Sequence, residues 1–287
     1  GFNPCYGGQQ GYGGQQQGYQ GQAPPPGFIP PPMPRGYMPT PNQAETGGQP
    51  GFGGEDGPFK YSLQFNEKSI RMAFVRKVFC LVTLMLAVVA AMTAIPFFNP
   101  DIKHNLKSGG TGWFFAAYGA FFVTYLVLIC CEGVRRSFPM NLILTGVFTV
   151  ATGFMTMCLS VQYTQESVLM GLVMTTLCCG IIIVFAMQTK YDLTSCMGVM
   201  ALITLFIFVF GIVAMISAMA FKVYWLHTVY SGLACLMFMA YLAIDVQMLM
   251  GGRKYEISPE DHIFAALQLF LDIIYIFWFI LSLFGQR

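Results

Sequence analysis

Charge is what this chain has least of. Of its 287 residues, 15 are Lys or Arg and 13 are Asp or Glu, a charged fraction of 10% beside a hydrophobic fraction of 55%. The shortage is uneven. No charged residue falls in 78–100, 112–131, 137–165, 167–189, 193–221 or 223–244. Crossing bilayer hydrocarbon takes roughly 20 apolar residues in a helix, and each run is long enough. A seventh run, 263–286, is interrupted by Asp272 alone. Strict apolar–polar alternation is also missing, which excludes barrel strands. These absences predict an all-α membrane protein with seven transmembrane helices, and the lipid bilayer is its first partner.

Other absences narrow the chemistry. The net charge is only +2 and no basic patch with interleaved aromatics occurs, so nucleic acid is not an expected partner. There are nine cysteines but no Cys-x-x-Cys pair, so zinc-site spacing is lacking. Eight of them lie in or beside apolar runs and read as small packing residues, with acylation of Cys130–Cys131 at the end of a span as the alternative. His104, His227 and His262 are isolated, and no resident cofactor is expected. No cleavable signal peptide is visible at the polar N-terminus, which opens at Gly1 rather than Met.

Residues 1–58 are a different polymer, with 16 Gly and 12 Pro among repeated Gln and Tyr. Too little apolar surface is available there to offset ordering entropy, so this tail is expected to be disordered. Its runs Pro24–Pro26 and Pro30–Pro34 favour polyproline II, the form that SH3-type and WW-type domains bind, against the simpler reading of a flexible tail with no fixed partner. Residues 59–77 read as a basic juxtamembrane lead-in whose Arg71, Arg76 and Lys77 stay at the headgroups, and 78–287 as the seven-helix domain. With the tail in the cytosol, ten Lys and Arg lie near the membrane on that side (60, 68, 71, 76, 77, 135, 136, 190, 253 and 254). Only Lys103, Lys107, Lys222 and Arg287 lie opposite, so the positive-inside rule predicts a cytosolic N-terminus.

Two carboxylates stand where charge is expensive. Asp245 lies near the end of span six and Asp272 inside span seven, and an ionisable group at membrane depth marks a functional site by default. Gly251-Gly252 reads as the stop of span six, and Ser258-Pro-Glu-Asp261 as a capping box opening span seven. At 1.5 Å per residue these signals put Asp245 about 9 Å before one helix end and Asp272 about 20 Å past the other start, within reach of each other. Two carboxylates in a low-dielectric site do not both ionise cheaply and titrate as a unit. Sharing one proton, they latch spans six and seven together; with none, they repel or attract a cation. The alternative is an ordinary interhelical hydrogen bond from a permanently protonated Asp272.

Arg135 and Arg136 follow span two on the same side, as charge-assisted partners for the carboxylates or as headgroup anchors. On span three, Asn141, Thr145, Thr149, Thr152, Thr156 and Ser160 share one helical face. Their hydroxyls either line a hydrated cation path or bond back to their own helix. Calcium takes roughly six to eight oxygens, so Asp245, Asp272 and scattered hydroxyls suit a weak, transient calcium site.

Several segments together resemble the Lifeguard branch of the transmembrane Bax inhibitor motif family. They are Ile70-Arg-Met-Ala-Phe-Val-Arg-Lys-Val, Arg135-Arg136 before Pro139 and Asn141, Ala243-Ile-Asp245 with Gln247 and Gly251-Gly252, and the stretch from Ile257 through Asp272 to Ile274. The resemblance spans roughly residues 60–287, and the tail is similar to that of one member of the branch. It implies a seven-helix fold with the last helix central, calcium leak from endoplasmic reticulum or Golgi stores, and suppression of stress-induced cell death alongside apoptosis-regulating membrane proteins. It also implies a pH-sensing pair, Asp245 and Asp272, assisted by Arg135 or its neighbour Arg136.

The rival enzyme is an intramembrane aspartyl protease, which also uses one aspartate on each of two adjacent helices. Presenilin-like proteases carry Tyr before the first aspartate and Gly-x-Gly before the second. Here Ile244 and Leu269-Phe-Leu271 stand in those places, and Pro-Ala-Leu is absent. A non-enzymatic protein is therefore expected. A seven-helix receptor is opposed by the predicted orientation, and a scaffold acting through the Pro-rich tail is compatible with a leak.

Overall fold

A computed structural model describes residues 58–109 and 111–286. Expectations for the tail, its disorder and its polyproline segments included, lie outside the described residues. Among the latter, nine α-helices and no strand form. They are α1 (Pro58–Phe98), α2 (Pro100–Gly109), α3 (Thr111–Cys130), α4 (Glu132–Arg136), α5 (Met140–Ser160), α6 (Gln165–Gln188), α7 (Met197–Ala220), α8 (Trp225–Met250) and α9 (His262–Phe284). Seven are long and apolar enough to cross a membrane: α1, α3 and α5 to α9.

The lead-in is not a separate element. No Gly or Pro occurs from Phe59 to Ile95, so nothing breaks the helix at residue 77 and α1 runs for 41 residues. Phe74, Val75, Val78, Val82 and Met85 are buried in one continuing stripe along it. Pro96 cannot donate to the ladder and sits two residues from the end of α1. Pro100 then opens α2 at the first-turn position where its missing N–H costs nothing.

The last helix is the centre. α9 packs against α1, α5, α6 and α8. Two-thirds of its most apolar window is buried (67%), with 61% for α8 but 17% for α3 and α7. A helix apolar on every side belongs in the middle of a bundle. Ala265 and Ala266 are fully enclosed on the face toward α8, where small residues let backbones approach. On another face Phe270 is fully buried, edge-on to Phe148 of α5 at 5.9 Å between ring centres. The outer helices instead turn Phe115, Ile181, Leu205 and Phe206 outward, as lipid-facing surfaces do.

Candidate functional site

The site is built where α8 stops and α9 begins. Gly251 and Gly252, at φ +74° and +72°, end α8 as the sequence predicts. The carbonyls freed there need donors. Arg71 of α1 supplies them: Nε donates to Met250 O (3.2 Å) and Nη1 to Ile257 O (2.6 Å), while Nη2 pairs with Glu256 Oε2 at 2.8 Å. Arg71 is thus a clamp on the α8–α9 turn rather than a headgroup anchor. Gln247, also buried, holds the other side of this end. Its Nε2 donates to Tyr191 O (2.9 Å), and its Oε1 accepts from Leu193 N (2.8 Å) in the α6–α7 connection. In that connection the Thr194 hydroxyl bonds Asp192 and holds its carboxyl below the usual carboxylate range.

Held this way, Asp245 sits about 7–8 Å before the end of α8 and Asp272 about 15 Å past the start of α9, at 1.5 Å per residue. The two carboxyl groups lie within hydrogen-bonding reach of each other. They are 5% and 7% exposed. A hydrogen bond between two carboxyl groups requires a proton on one of them. Asp272 Oδ2 has no protein partner, and neither does the buried Oε1 of Gln268, one helical turn earlier on α9. Neither oxygen has a protein donor, a deficit that water meets in buried polar sites. Among the described residues no group of three His, Cys, Asp or Glu gathers for a metal ion. Two carboxylates fall well short of the roughly six to eight oxygens of a storage-type calcium site.

The arginines go elsewhere. Arg135, 8% exposed at its side chain, meets Asp261 Oδ1 at 3.1 Å and lies over the Phe264 ring at 5.1 Å. Arg136 meets the same carboxylate through Nε (3.1 Å) and Nη2 (3.1 Å). Neither pairs with Asp245 or Asp272. The expected capping box fails for the same reason. Asp261 gives its carboxylate to the two arginines, Ser258 makes no side-chain cap, and a 3-10 turn over Pro259–Asp261 leads into α9. Two guanidinium partners outcompete one backbone N–H, because each adds the attraction of a full opposite charge that a neutral N–H does not supply. The cluster ties α4 to the head of the helix that carries Asp272.

Asp261→Asn leaves the largely buried Arg135 without its main carboxylate and is expected to cost about 1.5–3 kcal/mol. Adding Arg135→Gln should recover part of that loss, because the stranded charge goes with it. Thermal unfolding of the single and double variants in detergent checks this, and strictly additive costs would contradict the pairing.

The hydroxyl stripe on α5 does lie on one buried face, Asn141 to Ser160. Thr145, Thr149, Thr152 and Thr156 each donate to the carbonyl four residues earlier, at 2.7–2.8 Å. Asn141 Oδ1 accepts from Leu142 N, and Thr156 Oγ1 accepts from Trp278 of α9. Of the two readings of the stripe, back-bonding is the one its four threonines form, whereas the buried Ser160 Oγ has no hydrogen-bond partner. In an apolar surround a threonine hydroxyl satisfies itself on the nearest carbonyl.

Sequence reasoning missed the clamp and the ionic cluster, both of which join residues more than a hundred positions apart. The unsatisfied carbonyls implied by Gly251-Gly252 were the one signal pointing to a donor such as Arg71.

Comparison with known proteins identifies the family. Residues 71–287 match the family model described as "Inhibitor of apoptosis-promoting Bax1". Protein lifeguard 3 of Homo sapiens is 37% identical over 287 residues, covering 98% of this chain and 89% of the relative. Protein lifeguard 3 of Mus musculus is 36% identical over 274 residues, covering 95% and 86%. Bax inhibitor 1 of Schizosaccharomyces pombe is 28% identical over 228 residues, covering 76% and 78%. The match begins at the clamp residue Arg71, within the first spanning helix, and runs through the other six, so the chain belongs to the Bax inhibitor family, in its Lifeguard branch.

Proposed function

We propose that this protein is a non-enzymatic, pH-sensitive calcium leak pathway of internal membranes that restrains stress-induced apoptosis. A single observation carries the reading: two buried carboxyl groups, Asp245 and Asp272, face each other across the last two helices. A shared proton holds α8 to α9. Its loss leaves two like charges in a low-dielectric site, which repel and draw in a cation. Calcium is the transported ion, and no resident cofactor is required. The names of the family and of its yeast relative support the anti-apoptotic part.

The pathway lies with its N-terminus in the cytosol of an endoplasmic reticulum or Golgi membrane. The basic residues assigned to the cytosolic side support this orientation. Arg71 and Arg253 bond the elements around the ends of α6 and α8, and Arg135 and Arg136 bond the head of α9, all at one end of the bundle. Residues 1–58 serve as a separate docking tail for SH3-type or WW-type domains.

Purified protein in vesicles holding a calcium indicator tests the reading. Calcium entry is expected to exceed that of protein-free vesicles and to rise with pH as the shared proton is lost. Removing residues 1–58 is expected to leave the flux intact. Entry equal to that of empty vesicles at every pH overturns conduction.

A further inference from the structure

We propose that a lateral cleft between α1 and α6, floored by α9, binds a single acyl chain of a bilayer lipid. Its volume is about 520 Å³, within the roughly 300–1,000 Å³ usual for small-molecule sites. Small residues keep it open: Ala87 and Ala90 on the α1 wall, Gly180 on the α6 wall. A Cβ on Gly180 would meet nothing within 4 Å. Ile274 and Phe277 of α9 form the floor, about half a turn and one and a half turns past Asp272.

The lining says what fits. No Asp, Glu, Lys or Arg lines the cleft, and all its walls belong to membrane-spanning segments. At that depth the surrounding medium is hydrocarbon, so the occupant is apolar. Five threonines do face the space, Thr83, Thr93, Thr156, Thr175 and Thr176. Each donates its hydroxyl proton to the carbonyl four residues back, at 2.8 Å. The threonine hydroxyl protons are therefore taken, which leaves the weak Cys179 thiol as the remaining side-chain donor on the lining. A saturated chain brings no polar group that would need a partner there. Leaving the space empty would forfeit dispersion contacts along all three walls. Lipid tails gain nothing hydrophobic by moving from bilayer to cleft, so occupancy rests on shape alone and is modest but saturable.

The site is independent of the leak and is tested without measuring flux. The full chain is reconstituted in phosphatidylcholine vesicles doped with a phosphatidylcholine whose acyl chain carries a diazirine and a terminal alkyne. After illumination, adducts are mapped by peptide mass spectrometry. Adducts are expected on segments 83–93, 172–183 and 273–277, saturating as the probe fraction rises, while those on α7 rise linearly. Gly180→Leu with Ala87→Phe fills the cleft and is expected to cut its labelling at least threefold. Gly198→Leu on α7, where a Cβ also meets open space, should leave it unchanged. Labelling that never saturates in the unaltered protein overturns the proposal, whether or not the filled variant folds. Displacement of the probe by cholesterol but not by unlabelled phosphatidylcholine overturns the assignment to an acyl chain.

Discussion

Replacing Asp272 with Asn is expected to flatten the pH profile of calcium flux in reconstituted vesicles. The amide has nearly the carboxyl's shape and donates a hydrogen bond to Asp245 at every pH, so the contact between α8 and α9 no longer depends on a proton. On the proposed latch, that contact in the unaltered protein requires a proton on one of the two buried carboxyls. The sign follows: raising the pH removes the proton, turns a hydrogen bond into a repulsion and raises the flux. A hydrogen bond to a charged or ionisable partner contributes about 1.5–3 kcal/mol. At roughly 1.4 kcal/mol per factor of ten, its loss changes the open population about ten- to a hundredfold. Asp272→Asn should erase that range and hold the flux near its acid-side level. Asp245→Asn should do the same from the other helix. A variant that keeps the wild-type pH profile contradicts the latch and leaves Asp272 as an interhelical hydrogen bond.

The second large effect is structural and concerns two adjacent glycines. Gly251 has φ +74° and ψ −177°, a region essentially restricted to glycine, and Gly252 has φ +72°. Alanine at either position strains the backbone by about 1–3 kcal/mol. Only at Gly251 would the added Cβ also collide with the Arg71 guanidinium, whereas at Gly252 it meets nothing within 4 Å. Gly251→Ala therefore expels the clamp from Met250 O, Ile257 O and Glu256. The combined cost is expected to reach about 3–5 kcal/mol. For a domain of this size that lowers the melting temperature by about 6–20 °C. Gly252→Ala should cost only its strain. Arg71→Ala, which loses the same bonds without strain, should be less than additive with Gly251→Ala. Equal melting temperatures for the two glycine variants would show that Arg71 holds nothing there.

These two sites illustrate what the sequence reveals and what it conceals. The seven helices were legible because a bilayer allows so few alternatives: a charge-free run of sufficient length has nowhere else to go. Asp245 and Asp272 were legible for the same reason, as charges in the wrong solvent. Helix ends were legible where the signal was local, as at Gly251-Gly252. The misreadings arose where a local rule competed with a distant partner. Ser258-Pro-Glu-Asp261 has the spacing of a capping box, but Asp261 is claimed by Arg135 and Arg136, 126 and 125 positions away. Arg71 has the composition of a headgroup anchor, but its donors are taken by carbonyls 179 and 186 positions on. No periodicity encodes such pairs. The α5 threonines show the converse: their common face was read correctly, yet only coordinates could tell that their protons point back along their own helix. The boundary drawn at residue 77 marks a change of surroundings within one unbroken helix.

The central claim is that one proton holds Asp245 against Asp272. It is tested most directly by experimental structures of the lipid-embedded protein at acidic and at alkaline pH, comparing the separation of the two carboxyl groups. The account predicts hydrogen-bonding contact at low pH and, at high pH, carboxylates parted by at least a water's width or bridged by a cation. The same close contact at both extremes would contradict it.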